Sequence, residues 1–335
     1  MKDNFYYFTK ELYLKNNCLY SVEIDVTNRC NSDCIFCFQG SRHYSKKELN
    51  IKEYSALFYD LKMMGCYYIG FSGGEPFLRS DLLEIISLAK DYGFRVSLIS
   101  NGSLVTFKTL DKLKEIGLDR LSFSLHSLDE ETNKNIFGNQ NISSKHTIEL
   151  IKYSLSIGLN IGVCLTITNQ NVQELDNYVS FFERLGLIKE KINLNQLAYG
   201  KKDISQILPN IKDIKCSKRF LMQERETENE GFSFMCSAGK ISCSIDPCGN
   251  VYPCSFLNCS AGNIRKNSIK DIWENSHLLQ MFRSFSDKLF EKCLNCNIKN
   301  KCHVCYANNI ATTGNIFESS DERCNYLREI QDDKS

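Results

Sequence analysis

The sequence has few prolines, no long apolar run and almost no net charge. Only 4 of its 335 residues are proline and 24% are charged, which is the composition of an ordinary globular chain. The formal net charge is +1 and no basic stripe is visible, so a nucleic-acid surface is not indicated. The apolar runs are too short to cross a membrane, and the start MKDNFYYFTKEL lacks the apolar segment of a signal peptide.

Cysteine, by contrast, is abundant, with 17 residues placed unevenly. Three lie at positions 30, 34 and 37, and ten lie between 236 and 324. Without a secretion signal we expect a cytoplasmic protein, in which clustered cysteines bind metal more often than they form disulfides. The four scattered cysteines are interpreted as small buried apolar residues: Cys18, Cys66, Cys164 and Cys216.

Strand-like and helix-like segments alternate between residues 20 and 200. Strands are predicted at 21–26, 67–71, 94–99, 119–125, 160–167 and 191–197, and helices at 48–64, from Ser80, at 106–116, at 143–157 and over a segment that carries Val172, Val179 and Leu185 at helical spacing. Repeated β-then-α units predict an α/β fold, a partial (β/α)6 TIM-like barrel, whose site lies at the carboxyl ends of the strands.

The predicted domain organisation has four parts. A short N-terminal extension (1–20) precedes the barrel (21–200), a polar linker (201–230) follows, and a small cysteine-rich domain (231–330) with one helix at 268–284 completes the chain. A cysteine-rich domain of this size has a thin core, so metal is expected to stabilise it.

The first cysteine cluster, Cys30-x3-Cys34-x2-Cys37, follows the first predicted strand. Three thiolates in one loop can each bind one iron of a cubane, whereas iron–sulfur clusters usually take four thiolates. One iron is then left open for a substrate or cofactor. The alternative is a zinc site completed elsewhere, but zinc loops favour Cys-x2-Cys pairs.

Residues 20–200 resemble the radical S-adenosylmethionine (SAM) superfamily. The resemblance rests on the three cysteines and on Ser72-Gly73-Gly74-Glu75-Pro76, which matches the family's GGEP segment after the second strand. It implies that the glycine segment holds the methionine amino group. Five further positions match SAM-contacting positions of the family, at the adenine, the ribose and the methionine carboxylate: Phe36, Ser100, Asn101, Ser124 and Leu165. For Leu165 a role in the core is an equally good interpretation.

The resemblance implies that SAM is cleaved to a 5′-deoxyadenosyl radical, which abstracts hydrogen from an unactivated carbon. One position departs from the family. Where relatives often carry an arginine before a glycine for the SAM carboxylate, this chain has Phe137-Gly138, and Lys134 is a possible substitute.

The C-terminal segment resembles the SPASM domain, the auxiliary-cluster domain of radical SAM peptide maturases. The resemblance rests on Cys236, on Gly249 with four residues between it and Cys254, and on the Cys-x2-Cys-x5-Cys run at 293–302 with a trailing cysteine at 324. It implies two closed auxiliary [4Fe-4S] clusters and three clusters in all. One auxiliary cluster would use Cys236, Cys243, Cys254 and Cys305, and the other Cys293, Cys296, Cys302 and Cys324.

Three residues near these ligands have no assigned role: Cys248 and Cys259 are interpreted as free thiols and His303 as a loop histidine. The two Cys-x2-Cys pairs at 293–305 could also make one zinc site, but the gap of five residues is too short for a zinc ribbon.

The function that the resemblance implies is oxidative maturation, by a thioether or carbon–carbon crosslink, of a ribosomally made precursor peptide. The expected partners are that peptide, a separate leader-binding protein and a flavodoxin- or ferredoxin-type electron donor. A first alternative is a sulfatase-maturing enzyme that forms formylglycine, but relatives of that kind have aspartate where this chain has Ser255. A second is a non-enzymatic electron carrier or sensor. No catalytic acid or base is identified, since Tyr199, Tyr252 and Glu274 have ordinary structural explanations.

Overall fold

The computed structural model describes residues 2–38, 47–197, 204–210, 213, 236–299 and 302–332. Six parallel strands form the first part of the sheet, and each is paired in sequence order with the next. They are β1 (Ser21–Thr27), β2 (Tyr68–Gly73), β3 (Arg95–Ser100), β4 (Arg120–Ser124), β5 (Ile161–Thr166) and β6 (Ile192–Asn195). The predicted α/β fold with a parallel sheet is confirmed.

Helices alternate with these strands, and most of them begin at a side-chain cap. They are α1 (Lys2–Lys15), α2 (Ile51–Met63), α3 (Leu82–Asp91), α4 (Phe107–Ile116), α5 (Glu130–Phe137), α6 (Ser144–Ser156) and α7 (Leu175–Arg184). Asn50 forms a reciprocal capping box with Glu53 at the start of α2. The pattern analysis did not identify α1 or α5.

The C-terminal region extends the same sheet. Strand β7 (Ser242–Ile245) pairs in parallel with the free edge of β1, and β8 (Asn250–Tyr252) and β9 (Gly262–Asn263) continue it antiparallel, so the sheet has nine strands. The helices of this region are α8 (Ile269–Asn275), α9 (His277–Ser284), α10 (Glu291–Leu294), α11 (Tyr306–Thr313) and α12 (Asp321–Asp332). The single helix predicted at 268–284 is wrong, because Ser276 has an extended backbone that separates α8 from α9.

The two faces of the parallel sheet differ in chemistry. Val22, Ile24 and Val26 of β1 are fully buried in the apolar core, to which α8 also contributes buried side chains. Glu23 and Asp25 alternate with them and point to the other face, here called the barrel interior. No helix among the described residues is both long enough and apolar enough to cross a membrane.

Arg79 joins the end of β1 to the segment that enters α2. Its guanidinium donates to the carbonyls of Val26 and Leu49 and pairs with Asp81, and it lies over the ring of Tyr54 with 5.3 Å to the ring centroid. Because Arg79 is only 7% exposed, its removal would leave two buried carbonyl groups without these donors.

We expect Arg79→Met to lower the free energy of unfolding by about 3 kcal/mol, since it leaves the buried carbonyls of Val26 and Leu49 without their donor. Denaturant titration of the full chain measures the loss. The matched control is Arg184→Met at the end of α7, where the side chain is exposed and the expected change stays within about 0.5 kcal/mol. Equal effects of the two substitutions would contradict this structural role.

Candidate functional site

The loop after β1 carries the first three cysteines at the carboxyl-end edge of the sheet. The backbone N–H of Cys37 donates to the carbonyl of Cys34 at 3.0 Å, which folds the loop into a turn. Burial raises the pKa of Cys30, and the charges of Glu75 and Cys37 raise it further, so these groups lie near one another. The thiols of Cys30 and Cys37 therefore lie near each other at the end of β1.

Glycines after β2 allow that segment to lie directly against the cysteine loop. The N–H groups of Gly74 and Glu75 donate to the carbonyls of Thr27 and Arg29, both at 2.8 Å. A Cβ atom on Gly73 would collide with the carbonyl of Thr27, and one on Gly74 with the carbonyl of Arg29. Only glycine permits this close approach of two backbones.

The buried carboxyl group of Glu75 connects the glycine segment to the end of β3. It accepts hydrogen bonds from the Ser100 hydroxyl and the Asn101 backbone N–H, both at 2.8 Å, and from the Phe77 N–H at 3.1 Å. Burial raises its pKa, whereas these three donors oppose that shift. Asn101 in turn donates from its side-chain amide to Asn31, next to Cys30, at 2.9 Å. Three predicted site residues therefore form one hydrogen-bonded unit.

Ser124 and Leu165, both predicted to contact SAM, occupy opposite faces of the sheet. Ser124 ends β4 on the interior side, and no described residue hydrogen-bonds its hydroxyl. Leu165 is fully buried in the helix-facing core, while its neighbours Cys164 and Thr166 point to the interior. The structure thus corrects Leu165 to a core residue, because the two-residue alternation of β5 turns it away from the site.

Phe36 packs against a histidine that the sequence analysis missed. The ring of His126 lies 4.8 Å from that of Phe36 and 4.6 Å from that of Phe137, centroid to centroid. Its Nδ1 accepts from the Thr166 backbone N–H at 3.1 Å, and burial lowers its pKa to about 3. His126 is therefore a neutral packing residue below the cysteine loop, and a lone histidine after a strand gave no signal of this role.

The segment that departs from the family pattern supports the cysteine loop. The Asp33 N–H donates to the Phe137 carbonyl at 3.1 Å, and a Cβ atom on Gly138 would lie 2.5 Å from the Asp33 carbonyl oxygen. Lys134, considered as a substitute for the missing arginine, pairs with Glu130 at 3.0 Å within α5. Its charge is thus already partnered.

The barrel interior contains two carboxyl groups on β1. Asp25 accepts from the Ser72 hydroxyl at 2.8 Å. Glu23 lies across Gly70, where a Cβ atom would collide with its carboxyl oxygens. Water can reach Glu23, but surrounding protein and the charge of Asp25 raise its pKa to about 7. Since Glu23 also raises the pKa of Cys254, the interior approaches the second group of cysteines.

In the C-terminal region three of the four cysteines predicted for the first auxiliary cluster lie near one another. Burial raises the pKa of Cys236 to about 12, with contributions from Cys254 and Cys305. Cys243 differs from the prediction: it is 2% exposed, points into the helix-facing core from β7 and lies near Cys66. Its direction is fixed because β7 pairs with β1 on one side and β8 on the other.

The four cysteines predicted for the second auxiliary cluster surround one small cavity. Cys293, Cys296, Cys302 and Cys324 all line it, and Arg323 and Arg328 stand at its edge. Burial and the other three thiols raise the pKa of Cys293 to about 11. The Cys293 thiol therefore holds its proton near neutral pH, and binding of a metal to it would release that proton.

Most of the remaining candidate residues have hydrogen-bond or packing partners in the structure. The Cys248 N–H donates to Asp246, Cys259 packs against an apolar cluster with Phe282 and Phe290, and His303 also has interaction partners. Tyr252 donates to Asp246 at 3.2 Å and Glu274 is exposed on α8, whereas Tyr199 lies outside the described residues.

The donor sets fit iron–sulfur clusters better than single ions. Within the described residues, no group of three or more His, Cys, Asp or Glu side chains is arranged to hold one metal ion. In the structure four thiols line one cavity of the C-terminal region, Cys236 lies near two further thiols, and Cys30 lies near Cys37 in the first loop. Thiolates are the usual ligands of iron–sulfur clusters. Ser124, whose hydroxyl has no hydrogen-bond partner among the described residues, stands at the same edge of the sheet as the first loop and can offer a hydrogen bond to a ligand.

Comparison with known proteins matches both parts of the chain. Residues 24–182 match the radical SAM superfamily, and residues 236–297 match an iron–sulfur cluster-binding domain, SPASM. The AdoMet-dependent heme synthase of Methanosarcina barkeri is 26% identical over 88% of this chain and 93% of that protein. The PqqA peptide cyclase of Bradyrhizobium diazoefficiens is 25% identical over 83% of this chain and 79% of that protein.

Solved structures share the fold. SuiB of Streptococcus suis, crystallised with S-adenosylmethionine and also with its precursor peptide SuiA, superposes in the SAM-bound form with a TM-score of 0.74 and 19% identity. That match covers 91% of this chain and 77% of SuiB. The two family matches, together with the thiol groups at the ends of the strands, show that the chain belongs to the radical SAM superfamily as an enzyme with a C-terminal SPASM domain.

Proposed function

We propose that this enzyme oxidatively modifies a ribosomally made peptide and forms a thioether or carbon–carbon crosslink in it. The observation that supports the proposal is that the barrel interior extends from the first group of cysteines toward the second. It begins at the three-cysteine loop, passes polar side chains of β1 to β5 and approaches Cys254 near Glu23. A substrate in this space would lie between two cluster sites. The site at the three-cysteine loop would start the reaction by hydrogen abstraction, and the site at Cys254 would remove an electron from the substrate radical.

Cys30, Cys34 and Cys37 would hold the SAM-binding [4Fe-4S] cluster. With SAM bound, that cluster supplies a 5′-deoxyadenosyl radical that removes a hydrogen atom from the substrate. The chain's own part is positioning: Gly73 and Gly74 bring backbone to the methionine end, and Glu75 fixes Ser100 and Asn101 near the ribose. Ser124 would donate to the SAM carboxylate, and Phe36 would pack on the adenine.

The auxiliary cluster sites would accept the second electron of the oxidation. Cys293, Cys296, Cys302 and Cys324 provide four thiolates for one cluster, and Cys236, Cys254 and Cys305 provide three for the other. A flavodoxin- or ferredoxin-type protein would supply the initiating electron, and a separate leader-binding protein would present the peptide.

Relatives give a second candidate substrate, a haem precursor. The heme synthase of M. barkeri matches along 93% of its length, so its whole architecture is comparable with that of this chain. Formylglycine formation is less favoured, since Ser255, in the aspartate position, is hydrogen-bonded to the Cys254 thiol and is a poor proton acceptor.

The proposed function is tested with the anaerobically reconstituted full chain, SAM and dithionite. We expect release of 5′-deoxyadenosine, and none from the variant with Cys30, Cys34 and Cys37 changed to Ala. Peptides encoded beside its gene are then incubated with the enzyme, and mass spectrometry detects the loss of a hydrogen pair. Conversion of a precursor porphyrin with no peptide modified would favour the haem candidate and contradict the leading one.

Ser124→Ala is expected to weaken SAM binding about tenfold, because it removes a hydrogen bond to a charged group worth about 1.5 kcal/mol. Isothermal titration of the reconstituted enzyme without reductant measures the dissociation constant. Ser156→Ala, at the exposed end of α6, is the matched control and should bind SAM like the wild type. An unchanged affinity in Ser124→Ala would exclude the proposed contact.

Cys243→Ala is expected to keep the full iron content, whereas Cys254→Ala should lose about four irons per chain. The reason is the burial of Cys243 on the helix-facing side of β7. Iron and sulfide analysis with electron paramagnetic resonance after reconstitution gives the counts, and the exposed Cys18→Ala is the control. Equal iron loss in the two folded variants would instead make Cys243 a ligand.

A further inference from the structure

The interior wall formed by β4, β5 and β6 contains a positive charge that the proposed mechanism does not use. Arg120 begins β4 in the same two-residue alternation as Ser122 and Ser124, while Leu121 and Phe123 between them are buried in the helix-facing core. The Arg120 side chain therefore belongs to the barrel interior.

The guanidinium of Arg120 extends across β5. A Cβ atom on Gly162 would lie 2.5 Å from Arg120 Nη2 and 3.1 Å from Nε, so only glycine at that position leaves room for it. Its charge also lowers the pKa of the Cys164 thiol against the raising effect of burial. Asn193 donates to the same thiol at 3.5 Å, which places β6 beside this group. Arg120 thus stands over a polar surface of three strands.

Among the described residues nothing pairs with this guanidinium. Nε and Nη2 are buried without a hydrogen-bond partner, and no acidic residue forms an ion pair with Arg120. Among the described residues, the interior carboxyl group of Asp25 on β1 binds Ser72, and the pKa of Glu23 on the same strand shows no effect of Arg120. The Arg120 side chain as a whole is half-buried, but two buried N–H donors without acceptors cost free energy, so Arg120 is better explained by a ligand than by a structural role.

Arg95 is an arginine of the same sheet that has a structural role and can be compared with Arg120. It is also the first residue of its strand and is on the interior register, but it pairs with Asp119 at 3.2 Å and is 55% exposed. Arg95 and Arg120 both begin a strand, so their position does not distinguish them. They differ because no described residue forms an ion pair with Arg120.

We propose that Arg120 binds a carboxylate of the substrate inside the barrel, with Ser122 and Asn193 beside it. This inference rests on the proposed function, because it names a chemical feature of the substrate for the same interior. A guanidinium matches a carboxylate with two parallel N–H···O bonds, and such charge-assisted bonds are stronger than neutral ones. The carboxylate can come from an acidic side chain of the peptide or from a chain terminus.

Binding of small carboxylate probes to the reconstituted full chain tests the proposal. N-acetylglutamate α-amide represents an acidic side chain, N-acetylalanine a chain terminus, and N-acetylglutamine amide is the uncharged control. At constant ionic strength we expect one carboxylate probe to bind at least about tenfold more tightly than the amide. Arg120→Met should remove that preference, and Arg95→Met should keep it. Which acid binds distinguishes the two sources.

Equal binding of acids and amide by the wild type would overturn the proposal, and so would an acid preference that persists in Arg120→Met. Thermal unfolding adds a second readout. Arg120→Met should be at least as stable as the wild type, because no hydrogen bond is lost, whereas a midpoint lowered as far as that of Arg79→Met would show a structural role. SAM cleavage under dithionite is recorded for every variant, so that failure of the carboxylate site is distinguished from failure of the radical chemistry.

Discussion

The site depends on the buried carboxyl group of Glu75. Its three hydrogen bonds fix the glycine segment after β2 and the end of β3 relative to each other, and Asn101 extends the connection to Asn31 in the cysteine loop. Burial opposes ionisation of this group, and only the surrounding donors compensate for the cost. Hydrogen bonds of the protein itself thus hold three loops from three strands in one arrangement.

Much of this could be predicted from the sequence, because strands and clustered cysteines follow simple spacing rules. The six parallel strands are predicted from strand-like segments that alternate with helix-like ones, and the first cysteine cluster from its spacing. The thiols at 293–324 are grouped by their resemblance to the SPASM domain, and they line one cavity in the structure. The predicted roles of Leu165 and Cys243 do not agree with the structure, because both side chains lie in the helix-facing core. On a strand, the two-residue alternation decides which face a side chain occupies. A shift of one residue in register reverses that face, and spacing between cysteines carries no information about it. The break at Ser276 was missed because the apolar periodicity continues across it.

Two arginines illustrate how partners decide the role of a buried charge. Arg79 has two carbonyls, a carboxylate and an aromatic face around it, and it joins segments of the fold. Arg120 has no such partners among the described residues, and this difference is the basis for the carboxylate site inferred above. Neither role was visible in the sequence, where both residues are single arginines with no motif. Only the register of the strands and the hydrogen-bond partners of each guanidinium distinguish the two roles.

The parallel pairing of β1 with β7 joins the first and last thirds of the chain in one sheet. The edge of β1 is therefore covered only when residues more than two hundred positions apart in the sequence have paired. Contacts between such distant residues form slowly during folding. A barrel synthesised without its C-terminal region would present β1 as an open strand edge, available for pairing with other chains. The cysteine-rich region consequently covers one edge of the barrel sheet, so we expect its removal to cause aggregation of the remaining chain.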